Sequence, residues 1–211
     1  MNIIEPSVEI VFPISNGKWL LRRLELCGRT CYKSEDRISD NSAAKFVKRL
    51  IDSGHESVLE HVSITVRFIC DRGISHEIVR HRLASYSQES TRYCDYSKGK
   101  FGQEITVIKP CYLQEDTAKY LVWKTACENC ELAYLALLDQ GCTPQEARAV
   151  LPNSLKTELV MTADLREWRH FLRLRTSPAA HPQMREVAGM LLRKLKVVLP
   201  VVFDDIGEEE G

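Results

Sequence analysis

Between Arg80 and Tyr93 the chain reads Arg-His-Arg-Leu-Ala-Ser-Tyr-Ser-Gln-Glu-Ser-Thr-Arg-Tyr. Three arginines, a histidine, a glutamine, a glutamate and four Ser/Thr hydroxyls fall within this one stretch. Such a set suits an anion, because a phosphate is held by positive charge together with N–H and O–H donors converging from a bent backbone. A helix expected over Ser75 to about Ala84 would place Glu77, Arg80 and His81 on one face, with Arg82 directed elsewhere. One helix end would then address two ligands. A basic helix end can also simply complement its own dipole. The hydroxyls that follow, at Ser87, Ser90 and their neighbours, have no such use and favour ligand binding.

Arg166, Arg169, His170 and Arg173 form a second basic group on one face of a helix, with Leu165, Trp168 and Leu172 on another and Arg175 at its end. Taken alone it is also compatible with a solvated face. Arg148 stands among Ala147, Ala149, Val150, Leu151 and Pro152, so it is expected to be half-buried with an anionic partner such as Glu146 or a carboxylate of the tail. His55, Glu56, Glu60 and His61 invite a metal, but their spacing matches neither H-E-x-x-H nor H-x-x-E-H, where a histidine would replace Ser57. Cys127 and Cys130 lack a second pair. No metal is expected. Ser90 has no histidine at a spacing that establishes a base, so it reads as a ligand contact and not a nucleophile.

The elements that must carry these residues follow from periodicity. Val8 to Phe12 reads as a strand and Trp19–Tyr32 as a helix. Ser39-Asp40-Asn41 offers caps for a helix whose buried face is Phe46, Val47, Leu50 and Ile51, stopped by Gly54. Val62, Ile64, Val66 and Phe68 alternate with Ser63, Thr65 and Arg67 as in a half-buried strand broken by Gly73. Ser85 to Gly102 is expected to be a loop, Ile105–Ile108 a short strand, and Ala118–Leu138 a long helix closed by Gly141. Thr143-Pro144-Gln145-Glu146 is a capping box that starts a helix ending near Leu151-Pro152. Lys156–Ala163 reads as strand, Leu165–Arg175 as helix, Pro182–Leu199 as the last helix, and Glu208–Glu210 as a solvated tail.

These elements imply one α+β domain spanning 1–211, a mixed or antiparallel sheet flanked by helices. The 211 residues are 44% hydrophobic, enough for a real core, and 29 basic residues balance 29 acidic ones. Zero net charge argues against a dedicated nucleic-acid binder. No run is apolar enough to span a bilayer, and the start lacks the pattern of a signal peptide, so a cytoplasmic protein without membrane partners is expected. Its eight cysteines would then be free thiols.

Arg80-His81-Arg82, seven residues, then Ser90 resembles the signature of the flavin-dependent thymidylate synthases, a long and restrictive motif. Gly54-His55-Glu56-Ser57 upstream, the run from Ala147 to Pro152, and that from Leu165 to Arg175 are similar to further segments of that family. The likeness is detailed from about His55 to Arg175. It implies reductive methylation of dUMP to dTMP, with 5,10-methylenetetrahydrofolate as carbon donor and FADH2, reduced by NADPH, as hydride source. It further implies FAD contacts from Ser57, Arg80, His81, Arg82, Gln88, Asp164, Leu165, Arg166 and His170. For dUMP it implies Glu77, Ile78, Val79 and Arg80, then Gln88, Glu89, Ser90, Thr91 and Arg92, then Arg148 and Arg175. Arg175 is implied as the catalytic residue, and a homotetramer with FAD shared between subunits as the assembly. Three positions depart from the commoner pattern: Ser87-Gln88 for an Asn-Glu pair, Asp164 for Asn, and Glu77 for Gln.

Carbon 5 of uracil is a weak nucleophile, and no cysteine here sits in an activating context that would push electrons into the ring from carbon 6. A guanidinium aimed at the pyrimidine would instead stabilise an anion formed at N3. No Rossmann glycine pattern occurs, so a nicotinamide would bind without its own fold. Two other readings stay open on the sequence: a non-enzymatic nucleic-acid module using the arginine-rich helices, and a flavoprotein of some other activity.

Overall fold

A computed structural model describes residues 1–12, 14, 17–99 and 102–207. The expected tail at Glu208–Glu210 lies outside them. Strand β1 (Asn2–Ile4) pairs in parallel with β5 (Thr106–Ile108), with Ile3 opposite Val107. A second sheet has the order β2 (Ser7–Ile10), β3 (Ser63–Asp71), β6 (Lys156–Asp164), β4 (Ala84–Gln88). The helices are α1 (Gly17–Tyr32), α2 (Ser42–Asp52), α3 (Arg72–Ile78), α4 (Ala118–Asp139), α5 (Pro144–Ala147), α6 (Leu165–Arg175), α7 (Pro182–Val198) and α8 (Pro200–Phe203). The architecture is α+β, as the sequence implies.

The chain divides into two compact units. One comprises residues 1–7, 68–80 and 86–160, and the other residues 8–67, 81–85 and 161–211. In the first unit the core gathers Tyr96, Ile105, Val107, Cys127, Tyr134, Ala147 and Leu155. Helix α4 supplies Cys127 and Tyr134 to it, and Gly141 with φ of 89° ends the turn that follows. Only a residue without Cβ enters that left-handed region at no steric cost. The Thr143–Glu146 capping box forms as read, but α5 is a single turn continued by a 3-10 turn over Arg148–Val150.

In the second unit α2 buries Phe46, Val47, Leu50 and Ile51, the face its sequence predicts. β3 buries Ile64 and Val66 on one side by simple alternation. Helix α6 packs against the 3-10 turn Glu56–His61 and against α7. The Trp168 indole N–H donates to the Ile64 carbonyl at 3.1 Å and so fastens α6 to β3. A side chain that buries both a large ring and a satisfied polar atom fixes position as well as adding apolar area.

Four sequence expectations change. Helix α3 begins at Arg72, because the Asp71 carboxylate accepts the Ile74 N–H at 2.8 Å and caps it there; Gly73 lies inside the first turn. It also ends at Ile78, whose carbonyl accepts the Tyr86 hydroxyl at 3.0 Å. Arg80 and His81 therefore lie beyond the helix, and do not share a helical face with Glu77. The expected loop from Ser85 instead contains β4, whose backbone groups are satisfied by the sheet although its side chains are polar. Finally, Pro200 starts α8, so α7 is not the last helix.

Candidate functional site

In the first unit, residues that the sequence suggests for an anion meet at one junction. The Thr91 hydroxyl accepts from Arg148 at 3.4 Å, and the Gln145 side-chain oxygen accepts from Arg92 at 3.4 Å. These two bonds tie the turn after β4 to the α5 segment, and with it bring two guanidinium groups to one place. Ser90 Oγ accepts the Arg92 N–H at 3.3 Å, which bends the backbone there. Among the described residues Arg80, Arg92 and Arg148 pair with no carboxylate. Arg148 is exposed and not half-buried; of the apolar residues beside it only Ala147 is buried, and Ala149 is exposed as well. Neither Glu146 nor any other described acid neutralises it: the Glu146 carboxylate is taken by Thr143.

The neighbouring acids are held away from this junction. Glu89 accepts from the Tyr96 hydroxyl at 3.2 Å and from the Lys156 ammonium at 2.9 Å, and Lys156 also reaches Glu158 at 2.7 Å. Burial works against the Lys156 charge, but these hydrogen bonds outweigh it and raise its pKa. Burial, reinforced by Glu89, pushes the Tyr96 hydroxyl up and keeps it protonated. Gln88 donates to Ser75 at 2.9 Å and Thr157 at 3.2 Å. A cavity of about 520 Å³ is lined by Gln88, Glu89, Cys94, Lys156 and Glu158. Glu77 and Val79 are half-buried at the end of α3, whereas the Ile78 side chain is in the core and leaves only its backbone for a ligand.

In the second unit a cavity of about 420 Å³ is lined by Tyr32, His55, Glu56, Ser57 and Arg166. It brings together Ser57 and Arg166, more than a hundred residues apart in sequence. Beside His55, a second cavity of about 480 Å³ carries Arg29, Lys33, Arg37 and Arg49. Arg166 pairs with Glu60 at 2.5 Å. Arg82 and His170 are exposed, while Leu165 is buried. Asp164 caps α6 by accepting the Glu167 N–H at 2.9 Å, a role that Asn fills equally well. Asp164→Ala is expected to cost about 1 kcal/mol of stability and Asp164→Asn almost nothing. Urea denaturation of the two variants checks this, and equal losses would deny the cap its part.

His81 is buried. Its Nδ1 meets Glu167 Oε1 at 3.1 Å, and its Nε2 accepts from Arg175 Nε at 3.0 Å. Burial lowers its pKa, helped by the nearby Arg175 and His170 and opposed by Glu167. Neutral His81 donates once and accepts once, as these two contacts require. His81, Glu167 and His170 place donor atoms within 4.8 Å of one another. With both ring nitrogens of His81 engaged and a guanidinium alongside, this is a hydrogen-bonded chain and not a cation cage. Sequence reasoning did not single out Glu167, Gln145 or Lys156. The Glu167 partner lies 86 residues away, and no local pattern records it.

Fold and site together define an α+β protein in which, among the described residues, Arg80, Arg92 and Arg148 pair with no carboxylate, with polar cavities in each unit. A family model described as "Thymidylate synthase complementing protein" matches residues 20–201. The flavin-dependent thymidylate synthase of Geobacter sulfurreducens is 35% identical over 86% of this chain and 80% of its own length. That of Mycolicibacterium gilvum is 36% identical over 95% and 84%, and that of Pyrococcus furiosus 35% identical over 80% and 68%. Among solved structures, the UMP/dUMP methylase PolB from Streptomyces cacaoi, bound with 5-Br dUMP, superposes with a TM-score of 0.78. It is 25% identical, covering 97% of this chain and 96% of that one. The chain belongs to the flavin-dependent thymidylate synthase family.

Proposed function

We propose that the protein converts dUMP to dTMP as a flavin-dependent thymidylate synthase, the whole chain serving one active centre. Arg92 and Arg148 carry this reading: two exposed guanidinium groups without acid partners among the described residues, tied in place through Gln145 and Thr91. An arginine that finds no internal carboxylate is available to a phosphate, and two of them with nearby hydroxyls form a monophosphate anchor. Ser90 and Thr91 supply further donors, Gln88 and Glu89 shape the loop, and Glu77, Ile78, Val79 and Arg80 border the nucleotide. The nucleic-acid alternative is not supported: the net charge is zero, and Arg166, Arg169 and Arg173 of α6 are paired with acids of this chain.

The flavin-site residues fit the group they are assigned. The cavity with the Ser57 hydroxyl and His55 offers donors to a diphosphate, Arg166 there being paired with Glu60, and more cations line the cavity beside it. Ser57, Arg80, His81, Arg82, Gln88, Asp164, Leu165, Arg166 and His170 would hold FAD, which when reduced supplies the hydride of this reaction. Arg175 would face the pyrimidine and stabilise negative charge at N3. No buried cysteine competes as nucleophile: burial pushes the Cys70 thiol up to about 12 and the Cys127 thiol up to about 11, so neither is a thiolate at neutral pH. Methylenetetrahydrofolate as carbon donor, NADPH as reductant, a homotetramer sharing its flavin sites and a cytoplasmic location complete the proposal. No described helix is long and apolar enough to cross a membrane.

Tritium release from dUMP labelled at carbon 5, dependent on FAD, folate and reductant, tests the activity. Purified protein that binds no flavin and releases no tritium would overturn it. Arg92→Ala and Arg148→Ala are each expected to raise the KM for dUMP about 10- to 100-fold, one charge-assisted phosphate contact apiece. An unchanged KM in both would remove the anchor.

A further inference from the structure

Glu167, Phe171 and Arg175 stand four residues apart along α6 and so share one face over two turns. Glu167 and Arg175 are separated by about 12 Å along the axis, too far to touch. The His81 ring lies over the space between them, edge-on to Phe171 with ring centroids 4.8 Å apart. It reaches Glu167 with Nδ1 at 3.1 Å and Arg175 with Nε2 at 3.0 Å. The side chains of His81 and Glu167 are only 3% and 8% exposed, so water does not substitute for either contact.

We infer that Glu167 is a positioning residue that acts through His81 to hold the guanidinium of Arg175 in its working direction. This rests on the proposed role of Arg175 toward uracil. The chain of logic is a tautomer choice. A carboxylate only accepts, so His81 must carry its proton on Nδ1 to meet Glu167. The lone pair is then on Nε2, where it receives the Arg175 Nε–H. With the other tautomer two N–H groups would oppose each other at that point, and the guanidinium plane would lose its anchor. An orienting carboxylate behind a histidine is a recurrent way to fix which ring nitrogen donates. Here the histidine in turn fixes an arginine, its bond to Nε setting the plane of the guanidinium. Glu167 also sits in the first turn of α6, where a carboxylate favours the helix, so a merely structural role predicts lost stability and unchanged chemistry.

The test uses flavin-loaded protein and the variants Glu167→Gln, Glu167→Leu and Arg175→Ala. The amide oxygen of Gln still accepts the Nδ1–H, so Glu167→Gln should keep most of the wild-type kcat. Glu167→Leu removes the acceptor and is expected to lower kcat about 100-fold, the scale of a small misplacement of a catalytic group. Its KM for dUMP should stay near wild type, since the phosphate anchors are untouched. The ultraviolet spectrum of bound 5-fluoro-dUMP reports N3 ionisation without turnover, and Glu167→Leu should shift it toward the neutral form while Glu167→Gln does not. A Leu variant with wild-type kcat and an unshifted spectrum overturns the inference, whatever its thermal stability. Nitrogen-15 NMR of wild-type His81 settles the matter if the Leu variant fails to fold: an Nδ1–H tautomer supports the inference, and an Nε2–H tautomer overturns it. Full turnover by Arg175→Ala would instead sink the role of Arg175 itself.

Discussion

Arg175→Ala is expected to abolish thymidylate formation, lowering kcat by about 100- to 1000-fold or more, the loss seen when one preorganised donor to a developing anion is removed. In this proposed role the guanidinium has a fixed orientation, set by its contact to His81. Arg175 ends α6, its Nε is held by buried His81, and it remains half-buried, so it is both oriented and accessible. Stability should fall by about 1–3 kcal/mol, because Nε2 of buried His81 loses its donor. Arg175→Lys keeps the charge but loses the fork that bonds to His81, and should recover little of the rate. Tritium release from labelled dUMP, with a thermal melt alongside, measures both quantities. An alanine variant with full turnover would require another group to stabilise the pyrimidine anion.

The second large effect concerns the fold. Arg169 is fully buried, yet it makes a bidentate contact to Asp205 at 2.6 Å and 2.6 Å, reaches Glu56 at 3.1 Å and donates to the Val202 carbonyl. It fastens the segment after α8, and the 3-10 turn carrying Ser57, to α6. Arg169→Ala leaves the Val202 carbonyl without its buried donor and the Glu56 and Asp205 carboxylates with only the contacts of half-exposed Arg173. Breaking a buried pair in this way costs about 3–5 kcal/mol. For a chain of this size that lowers the melting temperature by roughly 6–20 °C. A variant that melts within a degree or two of wild type would show the network to be dispensable. The same network sets an acid limit. Hydrogen bonds from Arg169 hold the Asp205 carboxyl below its ordinary range. Its contribution is therefore present above the unfolded carboxylate value, about pH 4, and is lost as pH falls through the lower folded value. Asp205→Asn should lower stability at neutral pH and flatten its decline on the acid side, as urea denaturation followed against pH would show.

How much of this was legible in the chain depends on the range of the interaction. The apolar face of α2, the alternation of β3, the bounds of α6 and the Thr143–Glu146 box are local, set by side-chain period and by partners within four residues, and all appear where periodicity places them. The signature from Arg80 to Ser90 named the family for the same reason, as contiguous residues. β4 was misread as loop because its strand character lies in backbone pairing to β6, which polar side chains at Ser85 and Ser87 conceal. Arg169 and Arg166 look alike on a helical wheel, yet the first is buried in a network and the second exposed against Glu60.

What the amino-acid order determined by itself is therefore the set of elements and the chemistry on offer: arginines, hydroxyls and a histidine at motif spacing. Tertiary structure decided which of these are spent and which are left. It paired Arg169 and Arg173 internally, left Arg92 and Arg148 without acids among the described residues, and joined Glu167 to Arg175 through a histidine 86 residues from its carboxylate partner. The physical reason is that a charged group's role depends on what compensates it once water is removed, and the compensating partner is chosen by packing between segments distant in sequence.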